Sequence, residues 1–294
     1  MKSSITFGVL LWFLHFTLPV GAQPVRVVAT TQQGAAEIWA LATGADSAGE
    51  LIRYKTTGER ISSTPLSQPA LALCIDATGT VVASADGGLA FLDFSGRQKT
   101  RTRGMVYESL VCADGFVYAA GRSLRVHRFE LPGLANRRTV YETDNWNPKL
   151  FSPKAGLLAG ASWDGSITLW TLADGTRRSM PGKVSLLDLV AGPNDSWITL
   201  SDEGHIITIR DNGTQVHRFR HGGARGLGIS PQGVLAVLSG LNNVVLHRQS
   251  GVRWVEYKRL KLEGTQSFST LLPLGGSRWV AHSFTGLAFF SDSP

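Results

Sequence analysis

Cys74 and Cys112 are the residues of this 294-residue chain with the most sharply defined chemistry. Each stands two residues before an aspartate, Asp76 and Asp114. Two thiols in equivalent positions can bridge, or they can serve as small buried side chains in a crowded inner strand, and both readings stay open. The histidines offer less. Of seven, His15 lies in the first apolar stretch, and His217 and His221 are four apart. That spacing aims two imidazoles at one metal only on a helix, and this segment reads as strand and turn. No Cys/His set has zinc spacing, no Gly-x-Ser-x-Gly elbow occurs, and Asp202-Glu203 is an isolated carboxylate pair in a turn. The expectation is no catalytic residue, no metal and no cofactor.

The elements that would position a site are set by a repeat. Six turns, centred on Gly58, Gly96, Gly133, Gly175, Gly213 and Gly251, recur about every 37 to 42 residues. Each joins two short β-type runs, such as Leu89-Ala90-Phe91-Leu92 before Gly96 and Ile167-Thr168-Leu169-Trp170 before Gly175. A further run precedes each of these, for example Val81-Val82-Ala83-Ser84 and Trp197-Ile198-Thr199-Leu200, and a third opens the unit, beginning with Val25 to Thr30. A seventh unit starts at Phe268 and stops after its third run, Leu287-Ala288-Phe289-Phe290. The prediction is an all-β, seven-bladed β-propeller whose last blade has three strands. Phe268, Leu272, Trp279, Phe289 and Phe290 are expected to close the ring against the first unit.

The stretch Phe151-Ser152-Pro153 through Ser162-Trp163-Asp164-Gly165 to Leu169-Trp170 resembles the WD40-repeat propellers, and Ile229-Ser230-Pro231 repeats its opening. The resemblance spans nearly the whole chain beyond the N-terminal apolar stretch. It implies a hydrogen-bonded set within a blade, of which Ser162, Asp164 and Trp170 carry over in one unit, and His221, with Ser239 and Asn242 as partners, in another. The other units depart from that pattern, so packing is expected to hold them. The quinone-enzyme type of propeller repeat also places a glycine turn after its third strand, but its tryptophan periodicity is not repeated here. Ser162-Trp163-Asp164-Gly165 is also similar to the Asp box of sialidase propellers, with the glycine one place early and no repetition. The family is specific for architecture and weak for function.

Residues 1–22 carry Lys2, an apolar run from Ile5 to Leu18 and the small residues Val20-Gly21-Ala22, the pattern of a secretory signal peptide cleaved after Ala22. Residues 23–294 are then the propeller, secreted or periplasmic, with no transmembrane segment after cleavage. Losing Lys2 lowers the net charge from +7 to +6. The cations concentrate just after the glycine turns, as in Arg97, Lys99, Arg101 and Arg103. Charge on an outer strand guards the edge, or it recruits an anionic polymer or surface. Nucleic acid is not expected as a partner, since the rim lacks interleaved aromatics. Trp146 and Trp163 fall in loops expected to share one face, as blade caps or as a recognition surface. The leading reading is a non-enzymatic scaffold that binds a protein partner or ligand through that loop face. The alternatives are an extracytoplasmic enzyme with a site at the central channel, or a structural subunit of an envelope assembly.

Overall fold

The computed structural model describes residues 30–33, 37–43, 49–121, 123–142, 149–154, 156–161, 165–180, 185–210, 212–263, 268–283 and 286–292. Every element among them is a strand. The first blade is β1 (Thr30–Gln33), β2 (Glu37–Thr43), β3 (Gly49–Lys55) and β4 (Arg60–Leu66). The second is β5 (Ala70–Ile75), β6 (Thr80–Ser84), β7 (Leu89–Leu92) and β8 (Gln98–Arg101), and the third β9 (Tyr107–Ala113), β10 (Phe116–Gly121), β11 (Arg125–Glu130) and β12 (Ala135–Glu142). The fourth is β13 (Lys149–Lys154), β14 (Leu157–Ala161), β15 (Ile167–Thr171) and β16 (Arg177–Met180), and the fifth β17 (Leu186–Gly192), β18 (Ser196–Ser201), β19 (His205–Arg210) and β20 (Gln215–Arg220). The sixth is β21 (Ala224–Ile229), β22 (Leu235–Ser239), β23 (Asn243–Ser250) and β24 (Arg253–Lys261). The seventh has three strands, β25 (Phe268–Gly275), β26 (Arg278–Ser283) and β27 (Gly286–Ser291). Each blade is an antiparallel meander in chain order. Successive opening strands β1, β5, β9, β13, β17, β21 and β25 are neighbours, and β25 returns to β1, so the ring closes.

The glycine turns explain the repeat. In the first, Gly58 N–H donates to Lys55 C=O and Lys55 N–H to Glu59 C=O; the same pair of bonds recurs at Asp93/Gly96/Arg97 and Arg210/Gly213/Thr214. The turn needs one residue at positive φ, and Gly58, Gly96, Gly175, Gly213 and Gly251 supply it at no steric cost. The third turn differs. There Leu134, not Gly133, holds φ 52°, and its side chain is buried beside Phe129 and Tyr107. Packing offsets the left-handed conformation at that position.

Strand position sets burial. The second strands are apolar on both faces and buried, as in Val81, Val82 and Ala83 of β6 or Trp197, Ile198 and Leu200 of β18. The outer strands β4, β12, β20 and β24 are largely exposed. Seven apolar clusters fill the seven junctions between blades. The junction of the seventh blade with the first has three fully buried apolar residues, Ile38, Leu274 and Val280, flanked by Tyr54, Leu272, Leu287 and Phe289.

Two expectations are corrected here. The first strand, expected to end at Thr30, runs on over Thr30–Gln33; residues 25–29 of the expected span lie outside the described residues. Its pairing runs from Thr30 opposite Ala40 to Gln33 opposite Glu37, and the polar Gln32-Gln33 hid it from an apolar reading. Of the five residues expected to close the ring, only Leu272 and Phe289 face the first blade. Phe268, Trp279 and Phe290 pack on the sixth. The pleat gives the reason: Trp279 and Val280 are adjacent on β26, so they must point to opposite faces.

Candidate functional site

The two cysteines meet. Cys74 and Cys112 form a disulfide between the opening strands of blades two and three, with a Cα–Cα distance of 5.5 Å. The turns after them differ in length, with Gly79 five residues beyond Cys74 and Gly115 three beyond Cys112. Yet Cys74 lies opposite Val81 and Cys112 opposite Val117, so the difference is absorbed within the turns.

Of the four rim cations singled out in blade two, Lys99 and Arg101 lie on β8, while Arg97 precedes it and Arg103 follows it. Lys99 Nζ lies 2.8 Å from Asp93 and Arg101 2.7 Å from Asp86. Hydrogen bonds from Lys99, then from Ser95, hold the Asp93 carboxyl below the usual carboxylate range. Arg97 and Arg103 are exposed. The four therefore divide into two whose charges are matched by carboxylates and two that stand exposed. We expect reversal of Arg97 and Arg103 to glutamate to lower retention on an immobilised acidic polysaccharide by at least tenfold near 0.15 M salt. Reversal of Lys99 and Arg101 should matter less, since each already shares its charge with a carboxylate. Equal effects of the two pairs would contradict this assignment.

Trp146, Ser162, Trp163 and Asp164 lie outside the described residues. Trp170 is buried, with its ring 4.7 Å from Tyr141 and over Gly160, where a Cβ would stand 2.7 Å from the indole. In blade six, Ser239 Oγ donates to the Gly222 carbonyl and Asn242 Nδ2 to the Leu262 carbonyl, while among the described residues His221 Nδ1 has no hydrogen-bond partner. These side chains tie loops to strands.

The structure also assembles what sequence spacing did not reveal. His217, Phe219, His247 and His221 form a row of rings, neighbours 5.6, 5.2 and 6.2 Å apart, between the outer parts of blades five and six. Burial lowers the pKa of His221 and His247, with their mutual charge adding at His247. Burial also lowers His127, whose Nδ1 lies 3.1 Å from the Tyr107 hydroxyl, and brings His282 to about 4. Neutral buried imidazoles in packed strands act as structural groups at neutral pH. Among the described residues no three His, Cys, Asp or Glu side chains converge as a metal site. A cavity of about 320 Å³ between blades one and two is lined by Leu66, Gln68, Val82, Ser84, Leu92 and Gln98, none of which titrates.

Among the described residues four arginines lie over aromatic faces: Arg53 on Trp39, Arg128 on Phe116, Arg177 on Tyr141 and Arg248 on Tyr257, at 4.2 to 5.4 Å. In each pair the guanidinium cation stacks on the negative face of the ring. The last differs from the others, because Tyr257 and its neighbours Val252 and Val255 are themselves exposed. The sequence signal was the long alternating run Trp254-Val255-Glu256-Tyr257, whose buried member is Trp254, with Nε1–H donated to Thr208 at 3.0 Å.

With this geometry known, comparison with solved proteins bears on the fold. The structure is similar to that of BamB from Moraxella catarrhalis, with a TM-score of 0.63 over 88% of this chain and 82% of that one. The two share a fold. Sequence identity is 16%, so the likeness carries architecture rather than residues. No protein-family model and no curated protein matches the chain. Among the described residues no helix is long and apolar enough to cross a membrane.

Proposed function

We propose that this chain is an exported, WD40-like β-propeller that binds a protein partner through its loop face, with the basic rim drawing an anionic polymer or surface. Residues 1–22 are the cleaved leader in this reading, and residues 23–294 the mature binder. The observation that supports it best is where the ionisable groups lie. Burial lowers the pKa of His127, His247 and His282 on the middle strands, whereas the outer strands β12 and β24 carry their cations largely exposed. A rigid ring that displays charge and loops on its surface is suited to docking. The fold shared with BamB is consistent with a scaffold.

Trp146 and Trp163 are the anchors of this surface. Replacing both with alanine should weaken partner binding by at least a hundredfold while the urea midpoint of unfolding stays within about 0.5 kcal/mol of wild type. A large loss of stability with binding intact would assign the two residues to capping blade ends instead.

A further inference from the structure

The cavity between blades one and two has a cause in side-chain size. The strand before a glycine turn shows alternate side chains to the preceding blade. The turns align these strands, because Lys55, Asp93, Thr171 and Arg210 each donate N–H across the turn, to the carbonyls of Glu59, Arg97, Thr176 and Thr214. One residue earlier stand Tyr54 in blade one, Leu92 in blade two and Trp170 in blade four, each packed on the blade before it. Three residues earlier stand Ile52, Ala90, Thr168 and Ile207, in blades one, two, four and five. Leucine is the smallest of the first set and alanine the smallest of the second. Leu92 and Ala90 both line the cavity of about 320 Å³.

The lining is uncharged and divided in polarity. Val82, Ala90 and Leu92 form an apolar floor on blade two, each no more than 7% exposed. Leu66 meets them from blade one. Alternation along β6 turns Ser84 to the side of Val82, and its side chain lines the cavity. Ser84 is itself 7% exposed. Its N–H donates to Gly88 and its C=O accepts from Gly87, but among the described residues its hydroxyl has no hydrogen-bond partner. A hydroxyl held in a buried wall is costly until a partner reaches it. The exposed side chains of Gln68 and Gln98 stand at the rim. None of the lining residues is ionisable, so a charged ligand would lose its hydration without gaining a counter-ion. Size narrows the choice further. A closed cavity of about 150 Å³ admits benzene, so a space about twice as large takes about nine to twelve non-hydrogen atoms.

We propose that this cavity is a binding site for a small uncharged amphiphile, whose hydrocarbon body lies on Val82, Ala90 and Leu92 and whose hydroxyl or carbonyl oxygen bonds to Ser84. The site is separate from the loop face and from the basic rim.

Titration of the mature chain with 1-octanol tests it, followed by calorimetry and by the methyl resonances of Val82 and Leu92. The alcohol should bind with a Kd below about 0.1 mM, the affinity that burying about seven CH2 groups supplies, and should shift both sets of methyls. Octanoate has the same chain and a carboxylate, and should bind at least tenfold more weakly. Ser84→Ala should weaken 1-octanol about threefold or more and leave the urea midpoint unchanged, since the hydroxyl it removes has no partner in the free protein. Ala90→Ile supplies the side chain that blades one and five carry at this place, and should weaken the alcohol at least tenfold. No saturable binding, octanoate binding as tightly as the alcohol, or Ser84→Ala without effect overturns the proposal. So does binding seen only in a chain that starts at Thr30, which would make the preceding residues the occupant. Alanine replacement of Trp146 and Trp163 should leave the affinity for 1-octanol unchanged, so failure of the loop-face reading is seen separately.

Discussion

Lowering the pH from 7 to 4 should cost the fold about 3 kcal/mol through His282 alone. Burial holds this imidazole neutral, with a pKa of about 4 against an ordinary value of 6.5. Above about pH 6.5 neither the folded nor the unfolded chain binds the proton, and the stability is full. Between 6.5 and 4 the unfolded chain is protonated and the folded chain is not, so stability falls by about 1.4 kcal/mol per pH unit. Below 4 both forms bind it, and the loss levels off. His127, His221 and His247 are lowered by burial as well and act in the same direction. Urea unfolding of wild type and His282→Gln at pH 7 and pH 4.5 should show the variant losing less stability on acidification. Identical pH dependence in the two proteins would mean that His282 binds its proton in the folded state as readily as in the unfolded one.

The disulfide carries the second large effect. Cys74 and Cys112 are 38 residues apart, and closing a loop of that size restricts the unfolded chain by about 4 kcal/mol on the chain-entropy account. The bond also joins two blades at their innermost strands, so it holds a junction as well as a loop. The double variant Cys74→Ser/Cys112→Ser should unfold at a lower urea concentration and lose about 4 kcal/mol of stability, with oxidised and reduced samples of the variant indistinguishable. A variant as stable as the oxidised wild type would show that packing of Tyr107, Phe91 and Phe129 around the pair suffices.

Much of this architecture is written in local signals. A positive φ at Gly58, Gly96, Gly175, Gly213 and Gly251 is a requirement of one residue, so the turn can be read from the chain directly. The alternation along β26 is equally local, though which face meets which blade is not. Trp279 went to blade six because three-dimensional order, not sequence, decides the neighbour on each side of a pleat. The same limit hid the ring stack of His217, Phe219, His247 and His221, since His247 is 26 residues beyond His221 and reaches it only across a blade junction. The ion pairs of the rim were hidden for a different reason. Lys99 and Arg101 find Asp93 and Asp86, which lie in the turns before them, and a one-dimensional count of cations cannot see that pairing. The three strands of the last blade were legible from strand count.

The reading of this ring as a binder is tested most directly by site-specific photo-crosslinking in the native host, with the reactive side chain at position 146 or 163 and a control at Arg138 on the exposed outer strand β12. The account predicts one discrete protein adduct from both loop positions, absent from the control and lost when the other loop tryptophan is replaced by alanine. No adduct from either loop position, or equal adducts from all three, would contradict it.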